Sequence, residues 1–274
     1  MKSAWLAAVC LAVLAVPAVA QDEPAADSQK LQQEIFRHME KLFEGDGTAL
    51  QPMLKSIDTF LSSEKPGPAQ LRLAMFATRI MEAAGEYKAS QELMLKVKNL
   101  FAKTNDEDLI DAANEYYDEL TKKYAILGKT IKLEGKLLDG KPIDWASYQG
   151  KVVLVDFWAT WCKPCVEELP NLQKVYEDYH KHGFEILGIS ADEDLKALNT
   201  FLHQRQLPWA NVGGTDAEKL MEQYGVDVFP TTFVVGRDGK VAYINLRGVW
   251  LKNRLAELLP EAAKALKAAE NSGE

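Results

Sequence analysis

Residues 151–165 read KVVLVDFWATWCKPC. Positions 151–158 form a short apolar run of the length and β-branched character of a strand buried on both faces. Cys162-Lys163-Pro164-Cys165 then opens a helix. Pro164 has no N–H to leave unpaired and fits a first helical turn, and apolar residues continue at helical spacing over 166–180. The unpaired backbone N–H groups at a helix start favour negative charge, so a thiolate placed there is stabilised. Lys163 adds a nearby cation. Cys162 is therefore predicted to be the exposed attacking thiolate. Cys165, one turn deeper, is the resolving thiol that attacks the mixed disulfide.

Outward from this stretch, strand and helix patterns alternate. The sequence predicts a strand over 131–138 ending in the Asp139-Gly140 turn, and a second buried strand over 184–189. It predicts helices over 195–202 and 217–224, and a hairpin of 232–235 with 241–246 around Arg237-Asp238-Gly239-Lys240. A closing helix over 249–266 is interrupted near Pro260. This alternation predicts an α/β domain over 128–267, with a tail at 268–274.

The preceding segment, 28–125, is helical in period. Leu31, Ile35, Met39 and Leu42 form one apolar stripe, and Leu50, Leu54, Ile57 and Leu61 a second. A third helix over 71–81 follows the break at 64–68, and two more carry Leu93, Val97 and Phe101, then Leu109, Ala113, Tyr116 and Leu120. No metal-ligand, nucleophile or phosphate motif falls in this half, which reads as an all-α module that packs, forms a homodimer or docks a partner.

Residues 1–20, MKSAWLAAVCLAVLAVPAVA, have the form of a cleaved secretory signal: Lys2, an apolar core, then the small-residue site Ala18-Val19-Ala20. The competing reading is an uncleaved membrane anchor. Cleavage would place a soluble protein outside the cytoplasm, in the periplasm of a bacterium with an outer membrane, with residues 21–27 as a flexible lead. Cys10 would leave with the signal, so that of 3 cysteines only Cys162 and Cys165 remain. A bridge across two residues closes too small a loop to stabilise by chain entropy, so the pair is present for its chemistry. The net charge of -8 provides no basic footprint for nucleic acid.

The motifs carry a resemblance. Trp161-Cys162-Lys163-Pro164-Cys165 after Asp156-Phe157-Trp158-Ala159-Thr160, with Glu168-Leu169-Pro170 beyond it, resembles the thioredoxin superfamily, and within it the exported thiol:disulfide oxidoreductases of the TlpA/ResA type. Gly225-Val226-Asp227-Val228-Phe229-Pro230-Thr231-Thr232 is similar to that family's loop with a cis-proline opposite the dithiol. The resemblance spans about 128–260 and implies a thioredoxin-like fold with an inserted strand–helix unit near 184–212. It implies a redox-active Cys162–Cys165 disulfide, Asp156 as the proton acceptor for Cys165 through water, and Glu168 as a carboxylate that raises the thiol pKa values. It further implies a substrate-binding rim of Trp161, Lys163, Pro164, Phe229, Pro230 and Thr231, with no cofactor and no metal. Expected partners are protein thiols and disulfides, apocytochrome c among them, and a membrane-bound electron donor.

Each assignment has a plain competitor. Asp156 is alternatively a strand-end carboxylate turned to solvent. Glu168 is alternatively a first-turn glutamate favoured by the helix dipole. Pro230 is alternatively a trans turn proline, and the cysteines an inert bridge or half a zinc site with His180 and His182. At the level of function, a dithiol reductase leads. An oxidase or isomerase of the same fold differs from it only in redox poise. A peroxidase lacks its threonine three residues before Cys162, where Ala159 stands. A partner-binding scaffold leaves the intact cysteine pair unexplained.

Overall fold

The computed structural model describes residues 26–63 and 65–272. The signal segment at 1–20, Cys10 and most of the 21–27 lead lie outside them. The chain divides into two compact units between Lys123 and Tyr124.

Among the described residues the first unit holds five α-helices: α1 (Ala26–Phe43), α2 (Leu50–Ser63), α3 (Pro68–Ala83), α4 (Tyr87–Phe101) and α5 (Glu107–Tyr124). Residues 26 and 27, which the sequence assigns to a flexible lead, already belong to α1. Ile35, Met39 and Leu42 of α1 are buried at helical spacing, as are Met53, Ile57 and Phe60 of α2. Ala74, Ala77 and Met81 of α3 and Met94, Val97 and Phe101 of α4 extend the same core. The Thr78 hydroxyl, fully buried on α3, is 3.0 Å from the Tyr116 hydroxyl of α5, so these two groups pair within the core.

The second unit is built on a five-stranded sheet, and its elements follow in the order β1 (Val152–Trp158), α6 (Lys163–Tyr179), β2 (Phe184–Ser190), α7 (Leu195–Arg205), β3 (Ala210–Val212), α8 (Gly214–Tyr224), β4 (Thr231–Val235), β5 (Val241–Ile244), α9 (Gly248–Leu258) and α10 (Pro260–Ser272). Strand order is β3-β2-β1-β4-β5. β1, β2 and β3 run parallel, whereas β4 is antiparallel to β1 and β5 to β4. β1 is central and buried at all 7 of its residues, which is why its sequence is a continuous apolar run and not an alternation.

Three features depart from the sequence reading. No sheet strand forms over 131–138. That segment makes only isolated bridges, Thr130 with Lys240 and Lys136 with Pro142. Its N–H groups go elsewhere, Lys136 to the Asp216 carboxylate at 3.1 Å and Leu138 to the Asn211 carbonyl at 2.9 Å. The three-residue β3 is too short to show an alternating pattern. The 268–274 tail is helical as far as Ser272, because α10 starts afresh at Pro260. Leu259, ahead of that proline, leaves the helical region at φ -130°, ψ 62° and separates α9 from α10.

The register aligns Thr232, Asp156, Gly188 and Asn211 in one row across the sheet. Trp158, 1 % exposed, lies over Gly188 and donates its indole N–H to Asn211 Oδ1 at 3.2 Å. A Cβ on residue 188 would sit 2.0 Å from Asn211 Oδ1 and 3.0 Å from Trp158 Nε1. Gly188→Ala is therefore predicted to cost about 1–3 kcal/mol by overpacking. Denaturant titration should show a smaller cost for it in an Asn211→Ala background. Equal costs in the two backgrounds would contradict the close approach.

Candidate active site

β1 ends at Trp158, and the chain turns through Ala159-Thr160-Trp161 into α6. The turn is fixed by Asp192, a buried side chain that sequence reasoning passes over. Its carboxylate accepts from the Thr160 amide at 2.9 Å, from the Thr160 hydroxyl, and from the Ser190 hydroxyl at 2.7 Å. No motif marks Asp192, because its partners lie on two separate strand ends.

Cys162 is the N-cap of α6, with extended backbone at φ -81°, ψ 97°. It is bonded to Cys165, and its sulfur accepts the Cys165 amide at 3.3 Å. Cys162 is 6 % exposed and Cys165 3 %. The exposed sulfur predicted for Cys162 is thus not what the disulfide form presents: bonded to Cys165 Sγ, the Cys162 sulfur is drawn over the first turn of the helix. Trp161 beside it is 65 % exposed and meets Phe229 edge-on, ring centroids 5.8 Å apart. Lys163 and Pro164 are exposed. Lys163 Nζ lies 3.8 Å from Glu167 Oε1, and an exposed pair of this kind is weak and screened by solvent.

The Phe229–Pro230 peptide bond is cis. The Thr231 hydroxyl donates to the Val228 carbonyl at 2.7 Å and closes the loop. Arg247, the N-cap of α9, donates from Nη2 to the Pro230 carbonyl. The next amide, Gly248 N–H, donates to Glu168 Oε1 at 2.9 Å, and Asn171 Nδ2 donates to the same oxygen at 2.7 Å. Glu168 is half-buried.

Asp156 is 5 % exposed, within β1 and two residues before Trp158. It does not face solvent. Burial pushes its carboxyl pKa up to about 7; the Arg247 charge opposes the rise and the Glu168 charge adds to it. Its cross-strand neighbour Thr232 is buried, with a hydroxyl that has no hydrogen-bond partner among the described residues. Arg247 thus holds the Pro230 carbonyl, Gly248 holds Glu168, and the charges of Arg247 and Glu168 bear on Asp156. The sequence offers no signal for Arg247, a lone cation between a strand and a helix.

Among the described residues, no group of three or more His, Cys, Asp or Glu is placed to hold a metal ion. His180 instead stacks on Tyr176, ring centroids 4.4 Å apart.

A carboxyl whose pKa is raised on folding favours the folded state in its protonated form. The folded state keeps that contribution below the unfolded pKa near 3.8 and loses it as pH rises through about 7. The shift corresponds to a cost of about 4 kcal/mol above that range. Asp156→Asn is accordingly predicted to be more stable than the wild type at pH 8 by up to about that amount, and close to it at pH 4. Urea titrations at the two pH values check this, and a pH-independent difference would contradict it.

Residues 127–244 match the AhpC/TSA family model. The thiol-disulfide oxidoreductase ResA of Bacillus thuringiensis subsp. konkukian is 37 % identical over 122 residues, which cover 44 % of this chain and 69 % of that protein. ResA of Bacillus subtilis is 32 % identical over 106 residues, covering 39 % and 59 %. Among solved structures, the thioredoxin domain of a thiol-disulfide oxidoreductase from Bacteroides vulgatus aligns at 29 % identity and a TM-score of 0.46, over 48 % of this chain and 97 % of that one. The family match starts at residue 127 and leaves the helical unit unassigned. With a cysteine pair at the start of α6 and relatives of this similarity, the chain belongs to the thioredoxin-like thiol-disulfide oxidoreductases of the ResA type.

Proposed function

We propose that the protein is an exported dithiol reductase of protein disulfides, with the cysteines of apocytochrome c as its substrate class. The observation that carries the direction is a pair of carboxylates on the strand and the helix that meet at the dithiol. Asp156 is buried in β1, and Glu168 lies one turn past Cys165 on α6. Negative charge near the sulfurs disfavours the thiolate and so makes the reduced pair a stronger electron donor.

The reaction balances as a two-electron exchange. The Cys162 thiolate attacks one sulfur of a substrate disulfide, forming a mixed disulfide and expelling the other substrate sulfur as a thiolate, which takes up a proton. Cys165, its proton passed to Asp156 through water, attacks the Cys162 sulfur, breaks the mixed disulfide and expels the second substrate sulfur as a thiolate, which takes up a proton. The products are the Cys162–Cys165 disulfide and a substrate dithiol. A membrane-bound donor returns two electrons to the pair.

Trp161, Lys163, Pro164 and Phe229 supply the exposed or half-exposed rim around Cys162. In this reading an extended substrate segment lies against Pro230 and Thr231 by strand addition. Residues 1–20 direct export to the periplasm and are removed. No helix among the described residues is long and apolar enough to cross a membrane. The helical domain, 28–125, docks the partner or a second copy, and 128–267 carries the chemistry.

The reduced protein, mixed with an oxidised peptide bearing Cys-x-x-Cys-His, is predicted to return the peptide as a dithiol. The Cys165→Ser variant is predicted to accumulate the Cys162 mixed disulfide instead. Quantified thiol labelling with mass spectrometry checks both. A peptide that stays oxidised, while the disulfide form of the protein oxidises the reduced peptide, would overturn the direction and leave an oxidase or isomerase.

A further inference from the structure

We propose that Arg247 is a positioning residue of this site: it fixes the Pro230 side of the dithiol and supplies the counter-charge that holds Asp156 ready to take a proton. The inference deepens the reading above and rests on Asp156 as the acceptor of the Cys165 proton.

Two contacts place Arg247 at the junction. Its guanidinium donates to the carbonyl of Pro230, the residue of the cis bond. Its backbone leads directly into Gly248, whose amide donates to Glu168 at 2.9 Å. The start of α9 thus ties the substrate-side loop to α6 through consecutive residues. Asn245, just before, fixes the approach: it adopts the left-handed region at φ +55° and its Oδ1 accepts the Thr232 amide at 3.2 Å.

The electrostatics follow from that placement. The charged groups bearing on Asp156 are Arg247 from the start of α9 and Glu168 from α6. On the flanking strands its register partners are Gly188 and Thr232, both neutral. Burial and Glu168 both resist ionisation of Asp156, and Arg247 favours it. An acceptor is useful near the working pH only when its proton affinity sits near that pH. Without the guanidinium, burial and the second carboxylate would act together, and Asp156 would stay protonated across the working range. The same side chain holds the Pro230 carbonyl, so pressure of a substrate segment on that loop is transmitted to the counter-charge of Asp156.

The test uses the full disulfide form, in which the cysteines do not titrate. The Asp156 carboxyl is followed by its 13C NMR shift against pH. In Arg247→Gln the midpoint is expected to rise by about one pH unit, tenfold in proton affinity. In Arg247→Lys, which keeps the charge, it is expected to stay within a few tenths of a unit. Arg247→Met keeps most of the aliphatic stem and carries the same prediction as Gln should that variant fail to fold. With the same variants in the reduced form, the pH profile for reduction of the Cys-x-x-Cys-His peptide is expected to move with the midpoint. An unmoved midpoint in the Gln or Met variant overturns the role of Arg247. A midpoint that moves while the pH profile does not overturns Asp156 as proton acceptor, and the proposal with it.

Discussion

Cys162 caps α6 where β1 delivers it, its sulfur drawn onto the Cys165 amide and its backbone still extended. The strand behind it is buried at every position and flanked on both sides by other strands. A helix start held at the end of such a strand cannot drift, so the amides that favour a thiolate stay aimed at one point. The Asp192 clamp on Thr160 removes the remaining freedom in the connecting turn. Precision at the sulfurs therefore derives from the centre of the sheet and not from the exposed loops around them.

The same arrangement places a carboxyl where burial penalises its charge. Asp156 occupies the most enclosed strand of the domain and has its pKa raised to about 7. Carboxyls with strongly perturbed pKa values cluster at functional sites. Its surroundings are organised accordingly. Glu168 is anchored by Gly248 and Asn171, and Arg247 reaches from the start of α9 to the Pro230 carbonyl. The helix dipole and Lys163 favour the thiolate, and the two carboxylates disfavour it. In the proposed reading, the balance of those charges, and not the cysteine motif alone, sets the redox character of the pair.

The sequence discloses the parts whose physics is local. The apolar run 152–158, the cysteine spacing and Pro164 predict a buried strand leading into a helix at Cys162, and the structure has that junction. The apolar stripes of the first half correspond to helices α1–α5. What sequence hides is set by contacts far apart in the chain. β3 is three residues long and exists because β2 offers it an edge. The segment at 131–138 looks like a strand, yet its amides find Asp216 and Asn211. Asp192 and Arg247 have no motif, because each acts through partners that only the fold assembles. Burial of Cys162 in the disulfide form is likewise a property of the closed bond and its neighbours.

In the proposed reading the carboxylates of β1 and α6 make this pair an electron donor, and the reduction potential of Cys162–Cys165 measures that most directly. Equilibration of the protein with dithiothreitol or glutathione buffers reads it by thiol labelling. The expected value lies near or below that of thioredoxin, about -270 mV. A value near that of the strong oxidant DsbA, about -120 mV, would contradict it.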